Sequence, residues 1–225
     1  MNLLKWDKMA DHKMTLEQFK GQECWLGVDL ASKNDLAALA IMFKKEIERR
    51  MHYYLFVKHY LPGDAVKASE NAAHYDGWVR RGLITVTPGA MLDVDRIEAD
   101  TDLLGQMFNV IDLAFDPGHN STQYGVHMLD KGFNVIEVRP TVMNFSDPMK
   151  WMQVMVADGI FHHVGCPVLT WEVSNTVCKL DAKDNVYPRK EFAERKIDGV
   201  VAALMALNRA KADENSTFDQ ELLVV

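Results

Sequence analysis

Residues 36–43 (LAALAIMF) form a continuous apolar run in the first quarter of the chain. The run is far shorter than the roughly 20 residues of a membrane span, and it shows no alternation of polar and apolar positions. Such a run predicts a strand that is covered on both faces of a sheet. Residues 25–30, just before it, do alternate, and the alternation places Asp29 on the side opposite the leucines. An acidic side chain therefore stands on a strand next to a buried one.

The hydrophobic periodicity predicts three antiparallel strands, at residues 25–30, 36–43 and 52–60, followed by alternating helices and strands. The fold class predicted from this order is α/β, with a central mixed sheet flanked by helices. The later segments are a helix at 64–81, a strand at 83–87, a helix at 93–109, a strand at 110–115, a helix at 119–131, a strand at 133–138, helices at 146–158 and 167–179, a polar connection at 181–189 and a closing helix within 194–211.

The length of 225 residues suits one domain of generous size. We divide the chain into an N-terminal arm or linker at residues 1–23, a folded domain at 24–212 and a C-terminal tail at 213–225. No apolar run approaches a membrane span, and the N-terminus lacks the long apolar segment of a signal peptide. The sequence therefore predicts a protein of the cytoplasm with no membrane partner.

Charge and cysteine content exclude some functional classes. The 25 basic and 32 acidic residues leave a formal net charge of -7, which weighs against a protein that binds nucleic acid by bulk charge. A nuclease remains compatible with this charge, because acids that hold divalent cations are counted as negative in the sum. The three cysteines show no Cys-x-x-Cys spacing, so the sequence indicates neither a disulfide framework nor a structural zinc site.

Three aspartates stand out by position. Asp29 lies on the first strand, Asp116 follows directly on the strand at residues 110–115, and Asp198 lies in the first turns of the closing helix. If the strand that ends at Asp116 runs beside the first strand, the two carboxylates meet at one edge of the sheet. A simpler interpretation of Asp198 is that it caps its helix and complements the helix dipole.

Converging carboxylates repel one another unless a hard cation neutralises them. Mg²⁺ takes oxygen ligands and keeps several waters, and Mn²⁺ suits the same ligands. Two such ions form the arrangement that cleaves phosphodiesters, in which one activates the attacking water and the other stabilises the leaving oxygen. We therefore expect Asp29, Asp116 and Asp198 to hold two Mg²⁺ or Mn²⁺ ions.

Three short motifs surround the three aspartates: residues 27–31 (GVDLA) with Asp35, residues 114–117 (AFDP) and residues 195–203 (RKIDGVVAA). Together with the segment at 159–175, these motifs resemble the nuclease domain of the large terminase subunit of tailed bacteriophages. The resemblance covers about residues 22 to 210. It implies an RNase H-like fold and an endonuclease that cuts concatemeric viral DNA during packaging, with Asp29, Asp116 and Asp198 as the metal-binding catalytic acids.

A complete large terminase also carries an ATPase with a Gly-rich P-loop. No Gly-Lys-Ser/Thr motif occurs in this chain, so translocation of DNA is not expected of this polypeptide. The chain is then expected to be an excised nuclease domain or the product of a split gene, encoded by a phage or prophage, with residues 1–23 left from the interdomain connection. The partners that the resemblance implies are double-stranded DNA, a terminase ATPase domain or subunit, the small terminase subunit and the portal.

Further residues are weaker candidates. Asp35 follows the first strand and is a candidate ligand for a second metal, although a polar turn residue explains it equally well. The basic residues just before Asp198 are candidates for contact with the DNA backbone, against the alternative of a solvated helix start. These basic residues are Arg189, Lys190, Arg195 and Lys196.

Other polar residues have structural explanations that we favour over functional ones. Asp112 lies at a strand beginning and His119 at a helix start. His162 and His163 adjoin each other in a predicted turn without the spaced partners of a zinc site. Packing alone explains why Trp171 and Asn175 are one helical turn apart, although Asn175 is within reach of a hydrogen bond near the acids.

Two alternative functions remain open from sequence. Another RNase H-like nuclease, such as a Holliday-junction resolvase or a transposase core, needs the same acids but a larger basic surface or a dimer interface. A docking module of a packaging motor, in which the acids only stabilise the fold, needs no nuclease activity. Nicking of supercoiled plasmid in the presence of a divalent metal separates the enzymes from the docking module.

Overall fold

A computed structural model describes residues 1–30, 35–118, 121–192 and 194–222, with the backbone alone described from residue 213 onward. A 3-10 helix at Leu16–Phe19 precedes the first strand. The strands are β1 (Glu23–Asp29), β2 (Ala37–Ile47), β3 (Arg50–Pro62), β4 (Thr85–Thr87), β5 (Asn109–Phe115), β6 (Val135–Glu137), β7 (Phe161–His163), β8 (Thr176–Leu180) and β9 (Val186–Lys190). The α-helices are α1 (Leu3–Lys8), α2 (Gly63–Ala68), α3 (Ala72–Arg80), α4 (Val94–Met107), α5 (Ser121–Asp130), α6 (Val142–Asp158), α7 (Pro167–Asn175) and α8 (Asp198–Leu222).

The main sheet is mixed, as the sequence predicts. Its strand order in the described part of the chain is β4-β3-β2-β1-β5-β6, and β7 pairs with β3 beside this path. The meander β1-β2-β3 is antiparallel, whereas β5 lies parallel to β1 and β6 lies parallel to β5. The predicted neighbourhood of the first strand and the strand that ends at Asp116 is thereby confirmed.

Helices cover both faces of this sheet. One face packs on α4 and α5, through Leu104, Tyr124 and the odd-numbered residues of β2. The opposite face packs on α6, α7 and α8 and contains the even-numbered residues of β2. The apolar residues of β2 are buried from Ala37 to Phe43. The continuous apolar run is explained because each alternate residue of this strand meets a different helical layer.

Helix α8 lies directly on β1 at Gly27. A Cβ atom at position 27 would collide with the carbonyl oxygen of Ala202 and would stand 2.8 Å from the amide nitrogen of Ala206. Glycine is therefore needed here for the close approach of a strand to a helix. The contact draws α8 across β1, and Asp198 at the start of α8 comes near the end of that strand as a result.

The segment predicted as an arm or linker, residues 1–23, packs on both faces of the sheet. The Trp6 side chain is fully buried, and its indole N–H donates to Thr170 Oγ1 at 3.1 Å. The Trp6 ring stacks on His163 at 4.0 Å between centroids. Phe19 stacks on Phe43 of β2 at 4.5 Å. The N-terminal segment thus contributes large apolar side chains to both hydrophobic cores.

The helix predicted at residues 64–81 is wrong as a single element, because the chain forms α2 and α3 with a break between them. Ser69 Oγ accepts the backbone N–H of Asn71 at 3.1 Å at this break. The Asn71 side chain donates to the carbonyl of Glu194 at 2.7 Å. Short polar side chains that bond to nearby backbone compete with helix continuation.

The predicted start of a helix at Ser146 is also wrong, because α6 begins at Val142. Thr141 is its N-cap, and Thr141 Oγ1 accepts the Asn144 N–H at 3.3 Å. Pro148 consequently lies inside the helix and cannot donate to the Asn144 carbonyl. That carbonyl accepts the Asn208 side-chain amide of α8 at 3.0 Å instead. A tertiary hydrogen bond thus replaces the lost helical one.

The region after α7 differs most from the prediction. The helix predicted at 167–179 ends at Asn175, and the predicted connection at 181–189 contains a strand, so that β8 and β9 form an antiparallel hairpin. Its turn is held by the Asp181 carboxylate, which accepts the Lys183 N–H at 2.7 Å and the Asn185 N–H at 3.0 Å. The hairpin packs on α6, where Ser146 Oγ accepts the Val186 N–H at 3.2 Å.

Candidate active site

The three predicted aspartates come together at one edge of the sheet. Val28 and Phe115 are register partners in the parallel pair β1 and β5, so Asp29 and Asp116 follow at adjacent strand ends. Adjacent strands lie about 4.8 Å apart. Asp29 shares the sheet face of Gly27, on which α8 lies, and Asp198 is the first residue of that helix. A strand end, its parallel neighbour and a helix start therefore meet.

The electrostatics of Asp29 show how closely the acids are grouped. Burial raises the pKa of the Asp29 carboxyl well above its usual range, and neighbouring carboxylates raise that pKa further. An isolated strand-end aspartate in water would show no such effect. The neighbours responsible are Asp198, Asp116, Glu172 and Asp35, in order of decreasing effect.

Asp198 combines a displaced pKa with an unused oxygen. Burial raises the pKa of Asp198 from 3.8 to about 7, and the carboxylates of Glu172 and Asp35 add to this effect. Its Oδ2 atom is buried and has no hydrogen-bond partner among the described residues. A buried carboxylate oxygen without a partner is costly in a folded protein, and such groups call for an explanation such as an ion or a catalytic role.

Asp116 and Asp35 lie at the margin of the cluster. Asp116 Oδ1 accepts the Gly118 N–H at 3.1 Å, in the turn that ends β5. Asp35 Oδ1 accepts the Leu36 N–H at 2.8 Å, and its Oδ2 lies 2.8 Å from Lys196 Nζ. Asp35 thus belongs to the cluster and forms an ion pair with Lys196. Its role as a metal ligand stays a prediction.

Glu172 is a site residue that the sequence reasoning missed. It lies on α7 with no exposed side-chain surface, and its Oε2 is 2.9 Å from Nε2 of the equally buried His59. Burial alone would lower the pKa of His59, but the Glu172 carboxylate and the Cys166 sulfur together outweigh burial and raise that pKa to about 10. A signal was present, because Glu172 is the one charged residue of α7 and lies between the apolar residues Trp171 and Val173.

The segment before Asp198 is held by two asparagines. Asn175 Nδ2 donates to the Lys196 carbonyl at 3.0 Å, and Asn175 Oδ1 accepts from Arg195 at 3.1 Å. Asn71 holds the Glu194 carbonyl in the same way from the other side. The possible hydrogen bond of Asn175 near the acids is therefore present, and its effect is to anchor the residues that lead into α8.

The four predicted DNA-binding residues do not form one patch of equal exposure. Arg189 and Lys190 are exposed at the end of β9, and Arg195 is exposed beside Asn175. Lys196 is half-buried against Asp35. Burial and the carboxylates of Asp116 and Asp29 raise the pKa of Tyr187, which precedes Arg189 by two residues. This effect of the two aspartates shows that the hairpin lies near the acids.

Most of the other polar residues considered from sequence have structural roles. Asp112 is buried and accepts from Arg209 Nε at 2.8 Å and from Asn134 at 2.6 Å. His162 and His163 do not lie in a turn as predicted, because β7 pairs with β3 there. His163 is buried with its ring against Trp6, as the core interpretation expects.

Trp171 and His119 were also considered from the sequence. Trp171 packs against Trp78 with ring centroids 5.3 Å apart. His119 lies outside the described residues.

The donor set of the cluster suits a hard divalent cation. All of its candidate ligands are carboxylate oxygens, and no described residue forms a competing hydrogen bond to the Asp198 Oδ2 atom. No group of three His, Cys, Asp or Glu side chains within the described ranges is close enough to form a ready-made metal site. The carboxylates therefore suit a cation because they are oxygen ligands that repel one another. They do not form a preformed metal cage.

A mixed sheet of this strand order, with acids where two parallel strands end and at the start of the helix that crosses them, defines an RNase H-like α/β domain. The family described as "Terminase large subunit, endonuclease domain" has a sequence model that matches residues 2–214. The chain belongs to this family, and the resemblance noted from its motifs is confirmed. Among the described helices, none has the length and apolar character needed to cross a membrane.

Comparisons with individual proteins agree with this family. Protein YmfN of Escherichia coli (strain K12) is 36% identical, over 93% of this chain and 48% of its own length. The large terminase subunit of Enterobacteria phage HK97 is 28% identical, over 84% of this chain and 38% of its own length. The chain thus spans less than half the length of the curated relatives it matches.

Solved structures show the same fold. The crystal structure of the HK97 bacteriophage large terminase superimposes with a TM-score of 0.77 at 26% identity, covering 93% of this chain and 43% of that one. The large terminase nuclease from thermophilic phage G20c with bound magnesium gives a TM-score of 0.52 at 12% identity, covering 83% and 80%. At that identity, the second similarity supports the fold alone.

Proposed function

We propose that this chain is a metal-dependent DNA endonuclease that cuts concatemeric viral DNA during genome packaging. The observation that carries the proposal is the buried Asp198 Oδ2, which has no hydrogen-bond partner among the described residues, next to Asp29, whose pKa is raised by burial and by four acids, Asp198 among them. Burial of an unpaired anionic oxygen among like charges is unfavourable for a purely structural group. Family membership supports the same conclusion.

Asp29, Asp116 and Asp198 would hold the divalent ions, Mg²⁺ or Mn²⁺, with Asp35 as a candidate for the second. Bound ions of this kind supply a nucleophilic water at neutral pH and stabilise charge on the attacking and leaving oxygens of the phosphodiester. The three aspartates supply the oxygen ligands from rigid elements, two from strand ends and one from a helix start. Rigid elements keep ligand positions accurate during the reaction.

The remaining site residues would position and balance charge. Lys196 lies against Asp35 and lowers the pKa of Asp198, opposing the effect of the other acids. The pairs formed by Asn175 and Asn71 with the preceding backbone would hold this lysine near the cluster. DNA entering the site would bring phosphates that compete with Asp35 for the ammonium group.

Partners follow from the length of the relatives. Because the chain spans less than half of them, we propose that DNA translocation is performed by an ATPase domain or subunit outside this sequence. The small terminase subunit and the portal are proposed partners of the same assembly. The acidic net charge of -7 fits an enzyme to which a motor delivers DNA.

The first test is conversion of supercoiled plasmid into nicked and linear forms by the purified chain. We expect cleavage with Mn²⁺ or Mg²⁺ and none with a chelator, because the bound ions would supply the nucleophilic water at neutral pH. Readdition of metal to the chelated sample should restore cleavage. Intact plasmid at all protein and metal concentrations would instead favour the docking module.

A second prediction concerns the exposed basic residues of β9. The double variant Arg189→Ala/Lys190→Ala should bind duplex DNA more weakly, and the slope of log affinity against log salt should fall by about two. Fluorescence anisotropy of a labelled duplex across a salt series measures this slope. Lys45→Ala is the matched control. Lys45 is also exposed, but it lies near the last residue of β2, whereas the acids lie beside the first residues of that strand. An unchanged slope in the double variant would remove these residues from the DNA-binding surface.

A further inference from the structure

Both carboxylate oxygens of Glu172 are engaged by the protein itself. Oε1 accepts the backbone N–H of Gly199 at 2.9 Å, and Oε2 lies 2.9 Å from His59 Nε2. Glu172 is 0% exposed and His59 is 1% exposed. Glu172 therefore differs from Asp198, which has a buried oxygen with no hydrogen-bond partner in the part of the chain that the structure describes. An acid with both oxygens occupied would have to give up a hydrogen bond before it could bind a ligand.

The hydrogen bond to Gly199 acts on the residue next to Asp198. The first N–H groups of a helix have no partner within the helix, so an outside acceptor decides how the first turn is held. The absence of a side chain at position 199 is required by this contact. A Cβ there would collide with Glu172 Oε2 and would stand 2.7 Å from His59 Nε2. Glu172, His59 and Gly199 thus form one close contact at the start of α8.

The charge of Glu172 is balanced within this contact. Against the opposing effect of burial, the Glu172 carboxylate and the Cys166 sulfur raise the pKa of His59 to about 10, so His59 is paired as a cation with Glu172 at neutral pH. His59 lies on the same row of the sheet as Asp29, through Ala38 of the intervening strand. The imidazolium therefore offsets a negative charge directly beside the acid cluster.

We propose that Glu172 and His59 form a positioning pair that clamps the first turn of α8 and thereby orients Asp198, and that Glu172 is not itself a metal ligand. The inference rests on the proposed function, since it concerns how Asp198 is presented to a divalent ion. Residues that orient metal ligands commonly change metal affinity by about 10-fold to 100-fold when replaced.

The discriminating variants are Glu172→Gln, Glu172→Met and Gly199→Ala. Glutamine can still accept the Gly199 N–H through its oxygen, and its amide can donate to His59 once the ring has released its extra proton. Methionine has a similar volume but leaves that N–H without an acceptor. Alanine at position 199 forces the pair away from the helix. Matched controls are Glu98→Gln, which alters another buried glutamate paired with a histidine, His127 at 2.8 Å, and Gly77→Ala, where a Cβ meets open space.

Mn²⁺ binding is measured by isothermal titration calorimetry, and folding is measured by circular dichroism. Glu172→Met and Gly199→Ala should weaken Mn²⁺ binding by at least about 10-fold, whereas Glu172→Gln and both controls should stay close to wild type. Plasmid cleavage should follow the same order, with kcat reduced and KM for DNA unchanged. Should Gly199→Ala fail to fold, the contrast between Glu172→Gln and Glu172→Met decides the question alone.

Three results would overturn the clamp. The first is a loss of Mn²⁺ binding in Glu172→Gln as large as in Asp198→Asn, which would make Glu172 a ligand. The second is normal binding in Glu172→Met, and the third is a wild-type chain that binds no Mn²⁺. Failure of the endonuclease function is a separate result: wild-type protein then leaves plasmid intact while the contrast in Mn²⁺ binding persists.

Discussion

Asp29→Asn, Asp116→Asn and Asp198→Asn should each lower the rate of plasmid cleavage by at least about a thousandfold. Each change removes an anionic ligand, and the stabilisation that bound ions supply to a phosphodiester transition state amounts to several kcal/mol, at about 1.4 kcal/mol per factor of ten. Single-turnover cleavage of supercoiled plasmid with Mn²⁺ measures the effect directly. The three losses should not multiply when variants are combined, because the acids act as one unit.

Folding of these variants is the necessary control, and the structure predicts its direction. In the absence of metal, Asp29→Asn and Asp198→Asn should melt at or above the wild-type temperature, because each removes a desolvated carboxylate that its neighbours repel. Asp76→Asn should leave cleavage unchanged, since Asp76 pairs with Arg80 on the exposed face of α3. Substantial cleavage by an Asp198→Asn protein that folds normally would show that this residue is not a ligand.

The metal-free protein should become less stable as the pH rises from about 4 to about 7. The folded pKa of Asp198 is raised from 3.8 to about 7, so the folded state binds its proton more tightly than the unfolded state. The stability that this proton contributes is complete below 3.8 and is lost as the pH rises through about 7. At about 1.4 kcal/mol per pKa unit, the loss amounts to a few kcal/mol. Urea unfolding in a chelator across this range measures it.

A variant and an added metal separate this effect from general pH dependence. Asp198→Asn should reduce the fall in stability between pH 3.8 and about 7, and the part of the fall that comes from the raised pKa of Asp29 should remain. The raised pKa of His59 acts in the same direction but over a higher window, from 6.5 to about 10, and should remain. Mn²⁺ should restore stability near neutral pH, since a ligand that binds only the folded state stabilises it by mass action. A wild-type profile that is flat over the lower window would contradict the burial of Asp198 among other acids.

The acids were visible in the sequence because strand periodicity is local. Alternation in β1 places Asp29 on one face, and the proline and glycine after Asp116 end its strand at the acid. The order of strands and helices then makes β1 and β5 parallel neighbours, which the sheet confirms. Glu172 and His59 could not be paired in this way, because they are separated by 113 positions and meet only through tertiary packing.

Tertiary packing explains two of the errors in the predicted elements, the start of α6 and the β8–β9 hairpin. The local pattern Ser-Asp-Pro at residues 146–148 predicts a helix start. In the structure α6 begins earlier, and a hydrogen bond from Asn208 of α8 accommodates the proline inside the helix. The β8 and β9 segments are mostly exposed and lack a clear apolar alternation, so they read as helix and connection. Packing against α6 stabilises the hairpin, and that contact is absent from any short window of sequence.

The sequence by itself determined the α/β class, the buried central strand and the three aspartates, because each depends on the period of a strand or helix or on a breaker beside it. Only the tertiary structure decided that Asp198 Oδ2 is buried with no partner among the described residues, that Glu172 joins the cluster with His59, and that Arg189 and Lys190 stand on a hairpin beside it. The physical reason is that desolvation and charge interaction depend on distances between segments far apart in the chain. Those distances follow from the close packing of α8 on β1 at Gly27.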